Sequence, residues 1–336
     1  MTDSAVAEGL PLAARRRAGC RGAWLLVTLS PLSYLLGLYV LVQIDRRYPA
    51  LRPFLLTDRI GSGAFDWRVA AMTPVGLLAV MAATLLIDAI VLGYDRSAMK
   101  RLIAPNASAR VDLFYTALRV SGGIQLLAFV FSLGTMYYVA NWVHRYCALD
   151  LLSSVDSRLA QFGAVYLVNS LMFYLAHRLM HTPWLWEIHK VHHSAADLNL
   201  VTPFRNHPID FAAMTMLNAL PAALLGADAE VTLAYFAVNG LYQSIVHSEL
   251  PFTGPVLDWI WITPAAHRVH HSNRPDHWNR NFGILTVWDR LFGTYHPPDT
   301  GPLTYGVDGD AVLNREARVR EVFAIVGRWL TGQRRG

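Results

Sequence analysis

The chain has 336 residues, of which 54% are hydrophobic and 16% charged, with two cysteines and a formal net charge of +5. Soluble domains carry about 25% charged residues, so this composition excludes a disordered chain, a disulfide scaffold and a nucleic-acid-binding tail protein, and points to a membrane protein. Cys20 and Cys147 form no CxxC, which leaves no cysteine zinc ribbon and no thioredoxin-type redox pair.

Residues 1–21 make a polar, basic tail with Arg15, Arg16, Arg17 and Arg21. Residues 22–44 are uncharged, which is 23 residues or about 34 Å of helix, enough to cross a hydrocarbon core of about 30 Å. This run is longer than the apolar core of a secretory signal and leads into Asp45, Arg46 and Arg47, so a retained span is expected. A second apolar run covers 69–94 with Asp88 as its one charge; a third covers 120–143; a fourth, 159–176, leads straight into His177. Residues 211–227 and 231–246 are marginal spans and are expected to form a hairpin or a re-entrant pair. Beyond Pro251 the chain turns polar and aromatic. In 311–332, Val312, Leu313, Val319, Val322, Phe323, Val326, Trp329 and Leu330 recur at helical spacing with arginines between them, which predicts an amphipathic surface helix.

Ten of the 13 histidines fall between 177 and 271. HRLMH places His177 and His181 at i and i+4; HKVHH places His189, His192 and His193 at i, i+3 and i+4; HRVHH repeats that spacing at His267, His270 and His271. On a helix these offsets stay within about 100° of one face, so each string aims its imidazoles at a common point. Three strings supply more nitrogens than one ion can use and enough for two, and His247, alone at the end of an apolar run, is the natural ninth. Imidazole suits Fe, Zn, Cu and Ni. Arg178 stands where a zincin carries its glutamate. A histidine-rich metal transporter would set its ligands in broken helices at mid-membrane depth; here the strings sit at span ends and in Trp-rich polar sequence, which favours a site at the membrane face. Imidazole ligands pass their second N–H to a polar neighbour. Glu187, Asn199, Arg205, His207 and Asp289 are candidates for that role, with Asp197, Asp210 and Asn281 close by; Asp289 and Arg290 alternatively form a local ion pair.

With those strings, the segments DLNLVTPFRNHP (197–208), TPAAHRVHH (263–271) and NFGILTVWDRLFGT (281–294) make about residues 115–300 resemble the fatty acid hydroxylase/sterol desaturase superfamily of integral-membrane, histidine-ligated di-iron oxygenases. YQSIVHSEL (242–250) and the TP-x-x-HRVHH context look most like the alkylglycerol monooxygenase branch. Gln243 departs from the acyl-chain 2-hydroxylases, which carry a further histidine four residues before the one matching His247. The resemblance implies two iron ions held by the nine histidines, with no catalytic residue beyond those ligands. It implies reaction with O2, electrons from a donor protein or small reductant, and a membrane lipid as substrate. A polar lipid with an alkyl or amino-containing head is favoured over a sterol. Hydroxylation is expected ahead of desaturation on the same site.

The expected architecture is therefore all-α: a multi-span membrane helical bundle with a histidine-rich di-metal domain at the membrane face. Residues 22–158 hold spans 1–3 and their loops, 159–300 the catalytic domain, and 301–336 the amphipathic helix and tail. Four crossings from a basic inner N-terminus bring His177 to the cytoplasmic face. Basic residues nearly balance across the membrane, so access to cytosolic reductant decides this orientation more than charge does.

Overall fold

Asp88, the odd charge in an apolar run, lies on helix α1 (Met81–Leu92) and accepts the backbone N–H of Ala98 at 2.6 Å, at the start of α2 (Ala98–Ile103). The computed structural model describes residues 81–132, 146–299, 301–310 and 319–332, and isolated positions 47, 139, 142, 143 and 313. The basic tail, the expected span at 22–44, the start of the run at 69–94 and, apart from those isolated positions, the part of the run at 120–143 after residue 132 lie outside the described residues.

Asn106 caps α3 (Ala107–Val120), its side chain accepting the Ala109 N–H at 2.8 Å. Next comes α4 (Gly123–Phe131), bent from α3 by 80°. The run expected from 120 onward thus begins at this bend: Gly122, at φ +76°, ends α3 in the left-handed conformation that closes many helices, and α4 continues along the run to Phe131. The lack of charge hides this break.

Ser157 caps α5 (Arg158–Met180) through the N–H of Ala160. Its buried face runs Gln161, Val165, Asn169, Tyr174 and His177, while Leu159, Leu167, Leu175 and Leu179 point outward. Polar groups inside and leucines outside is the arrangement expected of a helix bathed in lipid. Three of the inward polar groups bond neighbouring elements. Gln161 accepts the Asp228 N–H at 2.9 Å, Ser170 accepts from the Trp288 indole at 2.8 Å, and Tyr174 bonds Thr294 at 3.0 Å.

A short turn leads to α6 (Trp186–His193), then to the helical pair α7 (Pro208–Leu225) and α8 (Ala229–Val246), which turns at Gly226–Asp228. α7 and α8 both pack on α5, with Val165, Ala222, Val231 and Tyr235 buried between them. Among the described residues α5 and α7 are long and apolar enough to cross a membrane, or three spans exist if bent α3–α4 counts as one.

The polar half continues through α9 (Pro255–Ile260), α10 (Pro264–His270), α11 (Thr286–Leu291) and α12 (Val319–Thr331). Among the described residues there is no strand, only isolated bridges Trp261–Leu285 and Ser272–Tyr305. α12 turns its apolar side to protein: Ile325 joins Ile188 and Val191 of α6 and Tyr115 of α3. Arg328 donates to Glu187 at 2.9 Å and Trp329 to the Trp184 carbonyl at 2.9 Å, leaving Phe323 and Leu330 exposed.

Candidate metal centre

All nine histidines of the three strings and His247 converge where α5, α6, α8 and α10 end. His177 and His181 from α5 meet His189 and His193 from α6; His192 from α6 meets His247, His267 and His271. Within each set the candidate ligand atoms lie within 4.8 Å of one another. A third set, His193, His270 and His271, shares one member with each, so the two positions are neighbours.

Local structure explains the aim. His189, His192 and His193 occupy consecutive turns of α6, and Thr263 caps α10 so that His267 and His270 share its face. The outer ring nitrogens are then tied down. His177 Nδ1 meets the Phe282 carbonyl at 2.9 Å, His270 Nδ1 the Arg280 carbonyl at 2.7 Å and His247 Nδ1 the Gln243 carbonyl at 2.7 Å. His189 Nδ1 meets the Asp210 carboxylate at 3.0 Å. A carbonyl or carboxylate accepts only, so each of these Nδ1 atoms carries the proton and each Nε2 presents a lone pair inward.

Those inward nitrogens lack protein partners. Nε2 of His181, His189, His193 and His270 is buried without a hydrogen bond. Nε2 of His192, His267 and His271 crowds His247 Nε2 at 3.1, 3.0 and 3.2 Å. His247 has no proton on that atom, so three neighbours cannot all be satisfied there; a cation among the lone pairs satisfies them at once. Burial, with repulsion from neighbouring imidazoles, holds His181, His192, His193, His267 and His271 well below the usual imidazole value. Burial also pushes His247 down to about 4 and His270 to about 3. These seven imidazoles thereby favour the neutral form, the form that binds metal.

The expected orienting residues divide. Asp289 acts one step removed: its carboxylate accepts the N–H groups of Phe282 and Gly283, both at 2.8 Å, and the Thr294 hydroxyl at 2.7 Å. It thereby fixes the carbonyl that holds His177. Asp289 makes no ion pair with Arg290, whose guanidinium lies over Trp259 and Tyr295. Glu187, Asn199, Arg205 and His207 bond none of the nine imidazoles. Glu187 pairs with Lys190 at 2.8 Å as well as with Arg328. Asn199 and Arg205 converge on Asp112 at 2.6 and 2.7 Å, and Arg205 also reaches the Ser194 hydroxyl at 3.2 Å, just past His193. His207 caps α7 and donates to the Val322 carbonyl at 3.0 Å. Sequence reading missed the carbonyls of Gln243, Arg280 and Phe282, which no side chain advertises; the left-handed Asn281 (φ +55°) between two of them is the nearest signal.

Gly283 leaves no room beside this loop. A Cβ there would sit 2.7 Å from Asp289 Oδ2 and 2.8 Å from the Leu285 carbonyl. Gly283→Ala is expected to cost about 1–3 kcal/mol, as overpacking does, and to lower bound metal per chain by displacing the Phe282 carbonyl. Melting temperature and metal content measured together check this; wild-type values for both would refute it.

A cavity of about 430 Å³ opens against the cluster, lined by His181, His193, His270 and His271 together with Trp186 and Trp278. Helices that bury polar groups and expose leucines, ending in neighbouring sets of imidazoles spaced to suit metal ions, define a membrane helical bundle built around a histidine cluster. Residues 162–294 match the fatty acid hydroxylase family. An ornithine lipid hydroxylase from Rhizobium tropici is 33% identical over 225 residues, covering 65% of this chain and 66% of that protein. Alkylglycerol monooxygenases from Xenopus tropicalis and Danio rerio are 35% and 36% identical over 137 residues, 40% of this chain and 30% of each of those proteins. The chain thus spans about two thirds of the first relative and under a third of the other two. No solved structure matches the chain.

Proposed function

We propose that the chain is a membrane-bound monooxygenase that hydroxylates a C–H bond of a membrane lipid, with O2 and an external electron donor. The observation that carries this reading is the pair of neighbouring all-imidazole sets beside a cavity whose lining includes Trp186 and Trp278. His177, His181, His189 and His193 would hold one iron ion, and His192, His247, His267 and His271 the other, with His270 between them. Bound there, the irons supply the O2 chemistry needed to break an unactivated C–H bond.

The protein supplies aim and dryness. Carbonyls of Gln243, Arg280 and Phe282 hold three Nδ1 protons, and the Asp210 carboxylate orients the His189 ring. His192, His193, His247, His267, His270 and His271 are all buried, so bulk water is kept from a strong oxidant. In the overall reaction one oxygen atom enters the C–H bond and the other leaves as water. Two electrons and two protons come from a partner protein or small reductant. The names of the relatives, an ornithine lipid hydroxylase and alkylglycerol monooxygenases, support a lipid substrate. A multi-pass chain with its histidines on the cytoplasmic face would give that reductant access.

Lipid mass spectrometry of cells with and without the chain tests the reading. A lipid that gains one oxygen atom, under O2 and with the wild-type chain alone, is the expected result. Loss of two hydrogens instead would make it a desaturase. A changed metal content with an unaltered lipid profile would make it a metal-handling protein.

A further inference from the structure

The cavity beside the imidazoles carries an asymmetry that the metal site does not require. Its floor is formed by buried His193, His270 and His271; its rim by exposed Trp278, Asn279 and Asp308. Apart from imidazoles, Asp308 is the one ionisable side chain in its lining, and no lysine or arginine is among the lining residues. The Asp308 carboxylate has a long contact of 3.5 Å from the Asn273 amide as its polar partner. Trp186 lies between rim and floor, its ring centroid 5.2 Å from those of both His181 and His193.

Asp308 is held in register with the site. His271 is followed by Ser272, which bridges to Tyr305, and by Asn273, whose backbone N–H reaches the Thr304 carbonyl at 3.0 Å. The Thr304 hydroxyl closes back on the Asn273 side chain at 2.6 Å. The segment that carries Asp308 is therefore clipped to the residues directly after the third histidine string. It also lies beyond residues 162–294, the part that matches the family, so it can differ between members without disturbing the ligands.

We propose that Asp308, with Trp278 and Trp186, forms a cation-reading mouth that takes the ammonium of an amine-bearing lipid head and presents a head-proximal C–H bond to the metal centre. This deepens, and rests on, the lipid hydroxylase reading. A carboxylate and indole faces both attract an ammonium, while phosphate or carboxylate heads without an amine meet an unscreened negative charge. Metal charge at the floor repels the same ammonium and so fixes the ligand's direction, head at the rim and carbon inward.

The test uses the metal-loaded chain in zwitterionic nanodiscs, with empty nanodiscs subtracted, and two water-soluble probes, hexyltrimethylammonium and hexyl sulfate, titrated calorimetrically. Hexyltrimethylammonium is expected to bind about tenfold more tightly, and Asp308→Asn to abolish that preference. An ammonium-headed lipid and its N-acetylated twin are then compared as substrates. Asp308→Asn should raise KM for the first about tenfold and shift KM for the acetylated lipid far less. Equal binding of both probes, or a preference that survives Asp308→Asn, overturns the proposal. Ammonium binding that depends on Asp308 in a protein that oxidises no lipid leaves the mouth standing and fells the hydroxylase reading instead.

Discussion

His192→Ala protein is expected to lose at least one metal ion per chain and to fall by about a hundredfold or more in lipid oxidation. Partners one bond removed from a metal already cost about 10–100-fold in affinity or activity when lost, and His192 is a candidate ligand itself. It is the one α6 histidine of the second set, with Nε2 3.1 Å from that of His247. His247, His267 and His271 reach that set from segments after α7, so without His192 the second set has no α6 member of its own. His270→Ala should act comparably, since His270 sits with His193 and His271 between the positions. His277→Ala is the control. His277 is as buried as the cluster, yet it packs against His296, with Asp299 3.4 Å away, and belongs to neither set. That variant should keep its metal and activity. Metal analysis by mass spectrometry, with turnover on the same preparations, decides. Full activity in His192→Ala or His270→Ala would sink the ligand assignment.

A second large effect belongs to a pair that touches no imidazole. Arg205→Met is expected to destabilise the protein by about 3–5 kcal/mol, the usual cost of stranding one partner of a buried ion pair. Arg205 and Asp112 are both 0% exposed, and the guanidinium also serves the Ser108 carbonyl at 2.5 Å and the Ser194 hydroxyl. The thioether side chain of the Arg205→Met variant would fill much of the volume and serve none of these acceptors. Adding Asp112→Asn should restore part of the loss, because the stranded charge is then removed. Thermal melts of the two single variants and the double variant in nanodiscs measure this cycle. Additive losses would show that the pair is not the cause.

The histidine cluster was legible because its signal is local. An i, i+3, i+4 string means one helix face whatever surrounds it, and α6 and α10 carry their strings on short helices. Long-range partners carry no such mark. Glu187 meets Arg328 of α12, and Asn199 and Arg205 meet Asp112 of α3, so proximity to a ligand string in sequence misassigned them as imidazole partners. The groups that do hold the rings at His177, His247 and His270 are backbone carbonyls, chemically alike at every position. Asp210 was visible as a nearby carboxylate, but its choice of His189 depends on how α7 packs against α6. The bend at Gly122 and the protein-facing side of α12 were hidden for a related reason. Apolar periodicity says that a surface is covered and not what covers it.

The order of the ligands along the chain sets an order of assembly during synthesis. The four imidazoles of the first set are all made by residue 193, whereas the second waits for His271. Yet His177 is aimed by the Phe282 carbonyl, which depends in turn on Asp289 and Thr294. A ribosome that has released the first four histidines still has about a hundred residues to add before their geometry is locked. In that interval the nascent chain offers a loose, partly complete nest of imidazoles to whichever divalent ion is most available. On the proposed reading, choice of metal would fall to the closing step, when the loop around residues 280–294 docks and the second set forms beside the first.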